Sequence, residues 1–476
     1  MTKFTKSILI VLMVATIALA LVGCQNFKWG PVGPITTGDV ENNGAMVVKQ
    51  GDYIYYVNGM DDTANITKPE DNHFGKASVK GSIMKSKINA DGTLSDTAVV
   101  VPKTYYTGNT GAGLYIFGEW LYYCSPSTQT DKYGNVLTSN LEYMRTKLDG
   151  SKTQSIAVIE GTSVKFTFTA TALIYIDGTD LKKIEYTDKK IGKESVIASD
   201  VTGSLFTAQS NIVFYTTAST NKTLNNDVVW AIDGNSTPVQ IIGDTTYASG
   251  ETPTLKEQKS ISLIKYDKDE KVLYYTRTDN DTASVVGTYG YKFDSLTAID
   301  KTLEKKYAVS SVSNFVPLGF ENGILDVSSA TVKVYKPISE QANVNDVDKE
   351  ITLSATPTVL FFEGDYVYYV ISNALMRMNY SAAVPSEEKI SDQNLSTSWL
   401  APVKLGNYIY YIDGNNYNYL YRLDYTVYGV DEGVVTKAEG KIVSGYEEST
   451  ETKDGLLPKF MTEADKESYI KANPAE

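Results

Sequence analysis

The chain has 476 residues, one histidine, two cysteines and a formal charge of −13. A single histidine cannot build a histidine zinc site, and it leaves a Ser-His-Asp or Cys-His apparatus only His73 to use. So acidic a body is not a nucleic-acid binder and is repelled by anionic lipid surfaces.

Lys3 and Lys6 precede an apolar run from Ile8 to Val22, broken only by Thr16. A basic start and a short terminal hydrophobic core predict a secretory signal over residues 1–23. An uncleaved anchor helix is the rival reading. The run ends in Leu21-Val22-Gly23-Cys24, which resembles the lipobox of bacterial lipoproteins. That resemblance implies a diacylglycerol on Cys24 and a mature protein on the outer side of a bacterial cytoplasmic membrane. Two acyl chains anchor stably where one does not. Cleavage would remove Lys3, Lys6 and no acid, taking the charge from −13 to −15. With Cys24 lipidated, Cys124 stands alone and no intramolecular disulfide can form. We read Cys124 as a buried thiol acting as a small hydrophobe.

Residues 24–44, rich in Gly, Pro, Asn and Thr, predict a flexible tether. Residues 45–446 alternate strands with turns and show no sustained helical period. Residues 447–476 predict a charged tail with a short helix, capped near Thr462 and Asp465.

One phrase organises the central region. Gly51-Asp52-Tyr53-Ile54-Tyr55-Tyr56-Val57 is a tight turn followed by an aromatic strand. It returns at Gly118-Glu119-Trp120, Gly364-Asp365-Tyr366 and Gly406-Asn407-Tyr408. Weaker copies begin near Leu173, Ile212, Val272 and Gly323. Strand repeats at a spacing of roughly 40 to 67 residues point to a β-propeller. We therefore expect an all-β chain of eight blades, with seven as the fallback. Each blade should hold four antiparallel strands, A to D. In the first repeat, strand B alternates Tyr53 and Tyr55 with Ile54 and Tyr56, so both faces are apolar. That pattern fits a sheet covered on both sides by neighbouring blades.

The repeated turn and Tyr-Tyr strand, opened by Asn42-Asn43-Gly44-Ala45, resembles a family of bacterial cell-surface β-propellers of unassigned function. Those propellers are distantly similar to the YWTD propellers of lipoprotein receptors. The resemblance implies extracellular binding or a scaffold role and brings no catalytic residues with it.

Loop lengths locate a candidate contact face. A–B turns are short throughout. Several B–C connections are long, notably residues 58–82, 125–140, 217–227 and 277–288. They share one side of the disc with the D–A links, and lengthened loops on one side of a repeat scaffold are where binding usually sits. The candidate contacts are His73, Phe74, Tyr133 and Asn135, with Asp279 and Asp281 further round. Asp61-Asp62 and Asp279-Asn280-Asp281 are also candidates for Ca²⁺, although neither has EF-hand spacing. Solvated acids are the alternative there, and no cofactor is expected. Arg145, Arg377 and Arg422 recur in strand C and read as structural rather than as an acidic-sugar cluster. The expected activity is non-enzymatic binding of a protein or a cell-wall polysaccharide by a monomer. The rival is a glycan hydrolase or lyase using two carboxylates, which needs no histidine.

Overall fold

The computed structural model describes residues 31–59, 81–101, 113–126, 139–161, 164–208, 210–219, 227–243, 259–279, 286–293, 295–296, 303–338, 347–397, 400–415, 418–443, 446–453, 455–458, 463–472 and 474–475.

The local rule is set by the turn. Gly51, Gly118, Gly364 and Gly406 lie at φ of +57°, +60°, +56° and +57°, while the residue after each does not enter that region. A positive φ at the first central residue alone suits a type II′ hairpin, whose twist matches the strands it joins.

Eight A–B hairpins, four of them with this turn, are extended to four-stranded antiparallel sheets in consecutive order, and Val40–Glu41 adds a fifth strand to the first of them. Blade one is Val47–Gln50, Tyr53–Val57, Ile83–Ile88 and Leu94–Val101. Blade two is Tyr115–Phe117, Trp120–Pro126, Asn140–Lys147 and Thr153–Glu160. Blade three is Phe166–Phe168, Ala172–Asp177, Asp180–Tyr186 and Ile191–Ala198. Blade four is Val201–Phe206, Ile212–Ala218, Asp227–Asp233 and Val239–Ile242. Blade five is Lys259–Asp267, Val272–Asp279, Gly287–Lys292 and Glu304–Ala308. Blade six is Phe315–Gly319, Gly323–Asp326, Thr331–Tyr335 and Val347–Thr352. Blade seven is Thr358–Glu363, Tyr366–Ile371, Ala374–Asn379 and Glu387–Lys389. Blade eight splits its A strand into Leu395–Ser396 and Val403–Leu405, then runs Tyr408–Asp413, Tyr419–Asp424 and Gly440–Ile442. The protein is an eight-bladed β-propeller. The fourth to sixth repeats, weakest in sequence, each form a full blade.

The core lies between blades, not within one. In strand B of blade seven, Val367, Tyr369 and Ile371 pack with blade six, while Tyr368 and Val370 pack with blade eight. Leu173 and Tyr175 likewise face blade two, and Ala172 and Ile174 face blade four. Period-two alternation with no polar face is the geometric result of being sandwiched.

The ring closes without exchanging a strand between its ends, since every blade is built from one continuous stretch. A single apolar cluster joins blade eight, through Leu405, Tyr410 and Ile412, to Val47, Ile54 and Met84 of blade one and Ile116 of blade two. The segment before blade one adds polar ties. Asn43 exchanges hydrogen bonds with the Ile116 backbone at 2.8 and 3.2 Å. Gly44, at φ +83°, meets blade four across the axis. A Cβ there would fall 2.0 Å from that of Ala208.

Residues 31–44, expected to belong to the tether, run along blades one and two. The Val32 amide donates to the Asp149 carbonyl at 2.8 Å. The Thr36 hydroxyl donates to Gln50 Oε1 at 2.6 Å and lies 2.9 Å from the Tyr55 hydroxyl. At the other end of the chain, a hairpin of Tyr446–Glu448 and Leu456–Pro458 precedes the helix Glu463–Ala472. Leu456 is buried in the closure cluster, so this segment packs on the ring. No helix among the described residues is long and apolar enough to cross a membrane.

Candidate binding faces

An antiparallel meander puts all A–B and C–D turns on one side of the disc and all B–C and D–A connections on the other. We call these the short-turn and long-loop sides. Of the contacts expected from sequence, His73, Phe74, Tyr133, Asn135 and Asp281 lie outside the described residues, as does Cys24. Asp279 ends its strand opposite Lys259, at the long-loop end of blade five.

The long-loop side carries a depression at one of its two-residue turns. In blade three only Gly178 and Thr179 separate the paired residues Asp177 and Asp180. Beside this low turn is a hollow of about 550 Å³, walled by Glu160, Lys165, Asp177, Thr202 and Ser204. Glu160 ends blade two, Asp177 ends strand B of blade three, and Thr202 and Ser204 open blade four. Three blades thus converge on one polar hollow of mixed charge. Lys182 bonds Asp177 at 2.6 Å and Glu194 at 3.1 Å below it. The Tyr175 hydroxyl, and after it Lys182, holds the Glu194 carboxyl below its ordinary range. Hydroxyls, a lysine and open glycine backbone in a shallow site suit a hydroxyl-rich or peptide ligand held by hydrogen bonds.

A second hollow, of about 530 Å³, lies near the axis among the A strands and A–B turns of blades four and five, the A strand of blade six and the segment before blade one. Phe206, Ile264, Lys265, Asp267 and Pro317 line it. Lys265 reaches solvent through the hollow but is ringed by protein. That desolvation holds its ammonium below the ordinary lysine range, against the opposing pull of Asp267. Asp267 itself accepts from the Asp269 and Glu270 amides at 3.0 and 3.1 Å, closing its own turn. The carboxylates lining this hollow, Asp267 and Asp269, come from one turn of one blade. They are not the opposed pair that glycoside hydrolysis requires.

The recurrent arginines serve the blades. Arg145 lies opposite Tyr122 and over the Trp120 ring at 4.2 Å. Arg377 lies opposite Tyr368 and over Tyr366 at 4.6 Å. Arg422 lies opposite Tyr410 and over Tyr408 at 4.4 Å. Blade one repeats the arrangement with Lys85, opposite Tyr55 and 5.8 Å from the Tyr53 ring. Each cation covers the first aromatic of strand B. They occupy different blade interfaces, so they do not converge on one ligand. Cys124 is buried, and burial pushes its thiol well above the ordinary range. Among the described residues no group of three or more His, Cys, Asp or Glu side chains is placed to hold a metal.

Loop length does not locate the depression over blade three, because the hollow forms beside a short turn. Its signal was present as the short Asp177-Gly178-Thr179-Asp180 turn between two long-looped neighbours.

No family model matches the chain, and no curated protein does. Solved structures do. The crystal structure of the eukaryotic initiation factor matches at 9% identity and a TM-score of 0.40, over 88% of this chain and 90% of that one. Apo AztD from Citrobacter koseri matches at 10% identity and 0.36, over 76% and 95%. The β-propeller domain of the Trilobed protease from Pyrococcus furiosus matches at 9% and 0.33, over 86% and 97%. At these values no ligand or activity carries over to this chain.

Proposed function

We propose that this chain is a lipid-anchored propeller on the outer face of a bacterial membrane, binding a protein or a wall polysaccharide through its long-loop side. The observation that carries the reading is the polar hollow over blade three, where Glu160, Lys165, Asp177, Thr202 and Ser204 gather from three blades. It lies on the side to which the long connections of blades one, two, four and five also belong. Strand positions are fixed by interblade packing, so recognition falls to this side. Anchoring rests on Cys24, as Leu21-Val22-Gly23-Cys24 suggests.

The test is a pull-down of surface proteins together with a wall-glycan array. Lys165→Glu should weaken capture while the melting temperature holds. Deleting residues 61–80 should also weaken capture and leave the fold intact. Binding unaffected by both changes would rule out the long-loop side. Cys24→Ala should release the protein or leave its signal uncleaved.

A glycan-active enzyme is the second reading. Glu160 and Asp177 favour it, since they bring carboxylates from two blades to one hollow. Turnover of a wall glycan by purified protein, lost in Glu160→Gln, would decide for it.

A further inference from the structure

Large apolar side chains exposed on this protein are not scattered. Seven valines are exposed among the described residues, and five of them sit in two adjacent connections. Val384 lies between strands C and D of blade seven, and Val427, Val430, Val434 and Val435 lie between strands C and D of blade eight. Both are C–D connections, so both leave their blades from the short-turn side, and the blade-eight one then reaches along the rim to the D–A connection of blade seven. Val384 is 84% exposed and Val434 68%.

The blade-eight connection is a built element. Gly429–Asp431 and Val434–Thr436 pair as a two-stranded hairpin with Val430 opposite Val435. Its base is tied to blade seven. Tyr428 stacks on Arg377 at 4.6 Å, Ser391 Oγ donates to the Ala438 carbonyl at 2.8 Å, and Lys437 pairs with Asp392 at 2.8 Å. A fixed hairpin with an outward apolar face marks an interaction surface.

The start of the described chain says which surface it meets. Residues 31–38 emerge on this same side: Val32 bonds Asp149 in the C–D turn of blade two, and Thr37 crowds Gly51 in the A–B turn of blade one. From Cys24 to residue 31 the chain spans at most about 25 Å. Strands of up to nine residues make the disc up to about 30 Å thick. A tether of that reach, crossing the rim to turn the disc over, would have no length left for the bilayer. We propose that the short-turn side, with its valine patch, rests on the lipid bilayer and the long-loop side faces outward. The proposal rests on the lipid-anchored reading above. Asp431 and Glu432 at the hairpin tip stay in headgroup water, so the contact is apolar and favours neutral lipid.

The full lipidated chain is reconstituted into phosphatidylcholine vesicles with brominated acyl chains. Val430→Cys and, separately, Thr179→Cys carry a polarity-sensitive fluorophore; buried Cys124 stays unlabelled. The label at 430 should shift to the blue and be quenched several-fold more than the label at 179, which sits in the blade-three turn of the opposite side. Vesicle flotation of the same samples reads the anchor. Flotation with an unquenched label at 430, or with equal quenching at both sites, overturns the orientation and leaves anchoring standing. A blue shift at 430 that grows with protein concentration without quenching means a second copy covers the patch, which also overturns it. Failure to float removes the anchor and the orientation together.

Discussion

The side-chain amide of Asn42 donates to the Lys404 carbonyl at 2.9 Å, joining residues 362 positions apart. It ties the segment before blade one to the A strand of blade eight. In a ring closed without strand exchange, such ties and the cluster around Ile412 and Val47 hold the ends together. Asn42 also sits at φ +66°. Asn42→Gly keeps the backbone and loses only the bond, and should cost about 1 kcal/mol. Asn42→Ala adds left-handed strain and should cost roughly 1 kcal/mol more. Urea denaturation of both variants checks this, and equal losses would contradict the strain.

Arg145 bridges blades two and three. Its Nε donates to Gln154 at 3.0 Å and its Nη2 to the Thr187 carbonyl at 2.8 Å, under the Trp120 ring. Arg145→Met keeps the stem and removes the charge, and should destabilise by about 2–3 kcal/mol. Captured partner should bind the variant as before. Lost binding with unchanged stability would return Arg145 to a recognition role.

Burial raises the Tyr115, Tyr215 and Tyr266 hydroxyls from 10.0 to about 12. A phenol whose folded value exceeds its unfolded one favours the neutral, folded form. Its contribution is complete below pH 10 and is lost as the pH rises toward 12. The protein should therefore unfold in alkali, with tyrosinate absorbance and loss of the strand spectrum rising together. Full tyrosine ionisation near pH 10 on an intact fold would contradict this.

The B–C turn of blade seven places two non-glycine residues in the left-handed region, Ser372 at φ +49° and Asn373 at φ +63°. Both are exposed. Relief of strain at Ser372 outweighs the entropy that glycine adds to the unfolded chain, so Ser372→Gly should stabilise by about 0.5 kcal/mol. Asn373→Ala should destabilise by about 1 kcal/mol. Thermal melts of the pair check the sign of each.

The amino-acid sequence by itself determined the architecture. Gly51-Asp52 and its copies encode the turn, and a strand such as Tyr366–Ile371, apolar at every position, has no stable place except between two sheets. Both signals are local, and repetition made them legible even in the weak copies at Ile212, Val272 and Gly323. Cation positions were legible as a recurrence, but their stacking partners were not. Only tertiary structure decided how the ring closes, because the contacts of Asn42 with Lys404 and of Gly44 with Ala208 join residues that no pattern links. It also decided where the hollows and the valine patch lie. Glu160, Asp177 and Thr202 are far apart in sequence and meet because three blades turn about one axis. Val384 and Val430 belong to different repeats, and their connections leave from one side only because both join strand C to strand D.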